Sequence, residues 1–212
     1  MGTLISFEGI DGSGKSFWAE KIANEIGKEA IYITRKEMMI ENNKFLEEVE
    51  FHLKNVLWDT DNDSPIELLT DSGWLYLHLC WYHIYQENVL KPLLRKYKYV
   101  FIDGWYYKIL ARFLTKKEYS DEMLIPMFER LKDADKIIFL DVSIYKCFNR
   151  KKNFNQCEIG RLDGEEGEMR KSFMNYQEKV RSAYYKVFER NNIDLHILGD
   201  DINKEQILKL VL

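Results

Sequence analysis

The chain has 212 residues, of which 46% are apolar and 31% charged, and its formal net charge is -4. That is enough for one sizeable α/β domain with a real core, and the acidic balance excludes a general nucleic-acid scaffold while leaving room for a local basic site. No apolar run is long enough to span a membrane, the N-terminus shows no signal-peptide pattern, and Cys80, Cys147 and Cys157 form no C-x-x-C, so a reducing cytoplasm is the expected compartment.

In chain order, Thr3 to Glu8 is a short apolar-rich run and reads as a buried strand. Helical spacing follows from Ser16 to Ile26 and is closed by Gly27. Ala30 to Thr34 is β-rich, Glu41 to Trp58 favours helix, and Asp59 to Ser64 is a polar turn. Ser64, Pro65 and Glu67 read as N-cap, first helical position and capping-box partner of a helix running to about Lys96, bent near Gly73 and Pro92. Tyr99 to Ile102 and Lys136 to Leu140 are further strands, each followed by an Asp. Helices are expected over Trp105 to Thr115, Ser120 to Leu131, from Ser143 to Arg150, and from Glu168 to Arg190. The polar segment between the last two, about 150–168, reads as a lid. Ile193 to Leu198 is a fifth strand, and Asn203 to Gln206 resembles a capping box opening a final helix. Strands alternating with helices predict a parallel sheet with helices on both faces, and no linker divides residues 1–212.

The segment Gly9-Ile10-Asp11-Gly12-Ser13-Gly14-Lys15-Ser16 fits G-x-x-x-x-G-K-[ST], preceded by a strand and followed by a helix. Its glycines let successive backbone N–H groups face phosphate oxygens, and the following helix adds its positive end. Lys15 is placed to bridge the β- and γ-phosphates of ATP and the Ser16 hydroxyl to hold Mg²⁺. The candidate ATP site is therefore Gly9, Asp11, Gly12, Ser13, Gly14, Lys15, Ser16 and Phe17. Asp103, at the end of an apolar strand, is the matching acid beside the loop, either supporting Mg²⁺ or orienting an acceptor.

With these residues in place, the run from Phe7 to Ser16 resembles the opening of the thymidylate kinase family, in which the acidic residue of the loop, here Asp11, approaches the acceptor sugar. Thr34-Arg35 resembles that family's segment after the second strand, whose Arg contacts the acceptor phosphate. Val89 to Leu94, Phe173 to Tyr184 and the closing Gly199 to Leu208 resemble other parts of the same fold. The resemblance implies a P-loop fold with a five-stranded parallel sheet, ATP and Mg²⁺ as cofactors, a small nucleotide-like acceptor such as dTMP, and a homodimer, with no nucleic acid or membrane partner.

The pattern departs from the family in three places. Asp103 is followed by Gly104 where the family has Arg, Tyr82 or a neighbour replaces a second Arg, and Lys36 to Met39 lacks the family's Pro-Gly-Gly turn. A charged hydrogen bond contributes about 1.5–3 kcal/mol, so without compensation monophosphate binding would weaken by orders of magnitude. Lys108 and Arg112 on the next helix are the cations at hand. Tyr82, Trp105 and Tyr106 are candidates to line the acceptor pocket by stacking, whereas Trp74 and Trp81 read chiefly as core. Arg150 and Arg161 fall in the lid, where an arginine can stabilise charge on a transferring phosphoryl group. The catalytic set is thus Lys15, Asp103, Arg150 and Arg161, for a phosphotransferase acting on a nucleoside monophosphate. A kinase for another hydroxyl-bearing metabolite and a nucleotide-binding module without transfer activity are the alternatives.

Overall fold

A computed structural model describes residues 1–38, 40, 42–59, 66–190 and 193–212, with the side chain of Arg190 outside the description. The expected polar turn ahead of Ser64 and the Ser64-Pro65 helix start fall on 60–65, outside the described residues.

Five parallel strands, β1 (Thr3–Glu8), β2 (Ala30–Ile33), β3 (Tyr99–Ile102), β4 (Lys136–Leu140) and β5 (Asp194–Leu198), form one sheet in the order β2-β3-β1-β4-β5. The central strands read as nearly unbroken apolar runs because helices cover both faces. Leu4, Val100, Ile102, Ile137 and Phe139 face one core, and Ile5, Phe7, Phe101, Ile138 and Leu140 face the other. Helices α1 (Lys15–Ile26) and α9 (Lys204–Val211) pack on the second core. The first core takes α3 (Asp71–Tyr85), α4 (Lys91–Lys96), α5 (Tyr107–Phe113), α6 (Asp121–Phe128) and most of α8 (Met169–Arg190). Helices α2 (Lys44–Leu57) and α7 (Ile144–Arg150) complete the chain. No described helix is long and apolar enough to cross a membrane.

Several boundaries differ from the sequence reading for local reasons. The α3 helix begins at Asp71, where the Thr70 hydroxyl accepts from the Gly73 N–H, so Gly73 lies in a first turn rather than at a bend. A π-helical turn over Gln86–Leu90 precedes Pro92; there the Lys91 N–H reaches the Gln86 carbonyl, five residues back. Trp105 stays outside α5 because its N–H donates to the Glu8 carboxylate at 2.6 Å. The capping box expected at Asn203 and Gln206 forms as read.

Candidate active site

Strand β1 lies between β3 and β4, so its end opens at the crevice where ligands of open α/β sheets bind. There the chain enters the glycine loop. Gly12 has φ 84, and a Cβ on it would lie 2.6 Å from the Cys147 backbone oxygen, so only glycine passes at this point. The Lys15 ammonium turns back on the loop and donates to the carbonyls of Gly9 at 2.9 Å and Ile10 at 2.8 Å. Burial lowers its pKa, with Asp11 opposing.

Strand β3 delivers Asp103 beside this loop. Its Oδ2 accepts from the Ser16 hydroxyl at 2.5 Å and the Tyr32 hydroxyl at 2.9 Å. Its Oδ1 is buried with no partner among the described residues. A hydroxyl beside a carboxylate with a free oxygen is a donor set suited to a hard divalent cation, and the residues therefore fit Mg²⁺. No cluster of three or more His, Cys, Asp or Glu side chains assembles among the described residues. The remaining ligands of such an ion would be phosphate oxygens and water.

Arg35 is 7% exposed and follows β2. Its guanidinium donates to the Asp103 carbonyl at 2.9 Å and lies 5.4 Å from the Trp58 ring centre. Trp81 Nε1 and the Tyr85 hydroxyl fix the backbone here, donating to the carbonyls of Arg35 at 2.7 Å and Thr34 at 2.8 Å. Gly104 has φ 90, and a Cβ on it would collide with Arg35 Nη1. Behind them Glu8 accepts from Ser6 Oγ, the Trp105 N–H and the Tyr184 hydroxyl; burial raises its pKa against these bonds.

Asp11 lines the site, but its carboxylate is already engaged. It pairs with Lys108, lies 3.7 Å from Arg112, and accepts from Gln177 Nε2 at 3.2 Å. Its N–H donates to Gln177 Oε1 at 3.1 Å. Burial alone would raise the Asp11 pKa, yet Lys108, Arg112 and Lys15 hold it well below the usual carboxylate range. Burial pushes Lys108 down to about 7 against the pull of Asp11.

Asp11, Lys15, Ser16, Arg35, Asp103, Lys108 and Arg112 share a cavity of about 810 Å³, within the usual range for small-molecule sites. Trp58, Trp74 and His78 are among its lining residues, with the Trp58 and His78 ring centres 5.2 Å apart. Burial, Arg112 and Arg35 lower the His78 pKa to about 3, so the imidazole is neutral, and its Nδ1 is buried without a partner among the described residues. Phe17, 59% exposed, also lines the cavity.

Three expected acceptor residues are corrected by the structure. Tyr82, Trp105 and Tyr106 do not line the cavity; they pack in the core. The chain turns inward after Gly104, where Trp105 Nε1 donates to the Lys132 carbonyl at 2.9 Å and the Tyr106 hydroxyl bonds Asp133. Tyr82 stands edge-on to Trp105 at 5.1 Å. Trp74, read as core, packs against that core and lines the cavity as well.

The two lid arginines separate. Arg150 Nη1 donates to the Ser13 carbonyl at 3.4 Å and so lies over the glycine loop. Arg161 bonds within the lid, to the carbonyls of Glu165 at 2.7 Å and Gly167 at 2.6 Å, and ties it to α8 through Ser172 Oγ at 3.2 Å. The body of the protein also grips the lid, through Arg112 to the Cys157 carbonyl at 2.5 Å and Gln177 to the Glu158 carbonyl at 2.7 Å. Gln177, Glu8, Tyr32 and Trp58 escaped the sequence reading. A signal existed for Gln177, a polar residue four after Phe173 and three before Val180 on the buried stripe of α8.

No family model matches the chain. Over 220 aligned residues it is 26% identical to a thymidylate kinase of Ligilactobacillus salivarius (strain UCC118), covering 98% of this chain and 94% of that protein. It superposes on the crystal structure of thymidylate kinase from Ehrlichia chaffeensis with a TM-score of 0.68 and 15% identity, over 100% of this chain and 99% of that one. At that identity the superposition establishes the shared fold.

Proposed function

We propose that the chain is a divergent member of the thymidylate kinase-like family and that it transfers the γ-phosphoryl group of ATP to a nucleoside monophosphate such as dTMP or a related nucleotide, with Mg²⁺. The observation that carries the reading is the convergence of Lys15, the Ser16–Asp103 pair and Arg35 on one cavity.

In this reading Lys15 exchanges the Gly9 and Ile10 carbonyls for phosphate oxygens, and the loop N–H groups hold the same phosphates. Ser16 and Asp103 would hold Mg²⁺, which when bound offsets charge on the phosphates. Arg35 and Asp11 face the acceptor, whose phosphate oxygen attacks the γ-phosphorus as the bond to the β-phosphate oxygen breaks and ADP leaves. Arg150 stabilises the charge of the transferring group from above the loop. Arg161 orders the lid from within. Assembly as a homodimer in the cytoplasm belongs to the same proposal, and light scattering tests the dimer.

The test is ADP release with Mg-ATP and a panel of nucleoside monophosphates and unphosphorylated nucleosides, with Lys15→Ala as the blank. The expected result is turnover on at least one monophosphate, abolished by Lys15→Ala. Silence on every nucleotide, or full activity in Lys15→Ala, overturns the reading. Turnover confined to unphosphorylated acceptors would assign the site to a hydroxyl-bearing metabolite.

A further inference from the structure

Two guanidinium groups beside the cavity are incompletely used. Arg35 Nε and Arg112 Nε are both buried without a hydrogen-bond partner among the described residues. A buried donor left unpaired is costly, and a charged one more so, unless a ligand completes it. The two residues come from different elements, the segment after β2 and helix α5, yet both line the same cavity and both act electrostatically on His78 and Lys108. Lys108 lies one turn before Arg112 on α5, is 4% exposed, and lines the cavity too.

The charge balance points the same way. The cavity is lined by the cations Lys15, Arg35, Lys36, Lys108, Arg112, Lys116, Arg150, Lys151 and Arg161 and by the carboxylates of Asp11, Glu67, Asp71, Asp103, Glu158 and Asp163, of which Asp11 and Asp163 act on Arg112, with Glu8 behind Arg35. Asp103 is bonded to Ser16 and Tyr32 through Oδ2 alone, its other oxygen having no partner among the described residues. Positive charge remains in excess in a buried place, where an anion of matching geometry is favoured. Position 104 contributes no cation, because glycine carries no side chain, and a Cβ there would first have to displace the Arg35 guanidinium.

We propose that the inner wall of the cavity is an anion site, built by Arg112 and Lys108 of α5 together with Arg35, that holds the phosphate of the acceptor. Helix α5 then supplies the cations that position 104 lacks. Asp11, clamped on both sides by Gln177, is the counter-ion that keeps Lys108 and Arg112 in place. A purely structural role would account for the bonds from Lys108 to Asp11 and from Arg112 to the Cys157 carbonyl, but not for the two unpaired Nε donors. Calling the anion an acceptor rests on the kinase reading above; the anion site itself does not.

The experiment is calorimetric titration of the whole chain, with its glycine loop occupied by a non-hydrolysable ATP analogue and Mg²⁺. The probes are dTMP, the other nucleoside monophosphates and the matching nucleosides. Arg112→Gln and Lys108→Met should each weaken monophosphate binding about ten- to hundredfold. Nucleoside and ATP-analogue affinities should hold, and Arg112→Lys should recover part of the loss. The proposal is overturned if folded variants, by circular dichroism and ATP-analogue affinity, bind monophosphates like the wild type. It is equally overturned if the wild type binds no monophosphate, or binds a nucleoside as tightly as its monophosphate. Should Arg112→Gln fail to fold, Lys108→Met carries the same comparison. Arg112-dependent monophosphate binding without ADP release would sink the kinase reading and leave the anion site standing; turnover with an acceptor KM indifferent to Arg112 and Lys108 would do the reverse.

Discussion

Replacing Gly104 with alanine separates a glycine tolerated by chance from one required by its neighbour. Gly104 sits at φ 90, and a Cβ on it would collide with Arg35 Nη1 and lie 3.5 Å from Arg35 Cζ. A non-glycine residue held in such a backbone region costs about 1–3 kcal/mol. Moving the guanidinium away breaks its bond to the Asp103 carbonyl, a charged hydrogen bond contributing about 1.5–3 kcal/mol. For a domain of this size each kcal/mol corresponds to about 2–4 °C, so the melting temperature should fall on the order of 10 °C. Thermal denaturation by circular dichroism reads that fall, and acceptor KM, with Arg35 displaced, should rise about tenfold or more. Gly104→Arg, which restores the residue of the related family, should do worse than Gly104→Ala rather than rescue activity. Gly104→Ala melting within about 2 °C of wild type with an unchanged acceptor KM would refute the reasoning, and so would a Gly104→Arg enzyme of higher acceptor kcat/KM.

Asp103→Asn removes the charge beside Ser16 and should raise the Mg²⁺ concentration for half-maximal ADP release about ten- to hundredfold, whereas an unchanged Mg²⁺ titration would rule out Asp103 as a support of the ion. Arg161→Ala withdraws bonds to Glu165, Gly167 and Ser172; limited proteolysis should cut the lid faster and kcat should drop, with ATP affinity kept, and wild-type protection would contradict the role in lid order. Monophosphate affinity should fall about tenfold between roughly pH 6.5 and 8.5 as Lys108 loses its proton. Burial holds that group near about 7, with Asp11 raising its pKa and Lys15, Arg112 and Arg35 lowering it, so the cation is present below that pH and lost above it. The monophosphate itself is already largely dianionic over this range, with a second pKa of about 6. Calorimetry across the range checks this; a profile as flat in the wild type as in Lys108→Met would exclude Lys108 as the titrating cation.

The sequence by itself determined the features that depend on neighbours along the chain. The glycine loop, the strand and helix flanking it, the alternation that makes a parallel sheet, the acid at the end of β3 and the capping box at Asn203 are all written in short windows, because backbone N–H direction, apolar periodicity and capping are local. Only the tertiary structure decided the strand order and what each side chain meets. Helical spacing placed Tyr82 and Trp74 on one helix but could not say that Trp74, at the edge of the core, would also line the cavity while Tyr82 would not. Nothing near position 104 foretold that Arg35, 69 residues earlier, would fill the space beside it. Nor could spacing tell that Asp11 would be held by Gln177, 166 residues away, or that Arg150 would reach the loop while Arg161 bonded to its own lid. Such contacts arise only when the sheet closes and brings distant segments together. Their energies come from burial, charge and hydrogen bonding between those segments, which no single window of the chain contains.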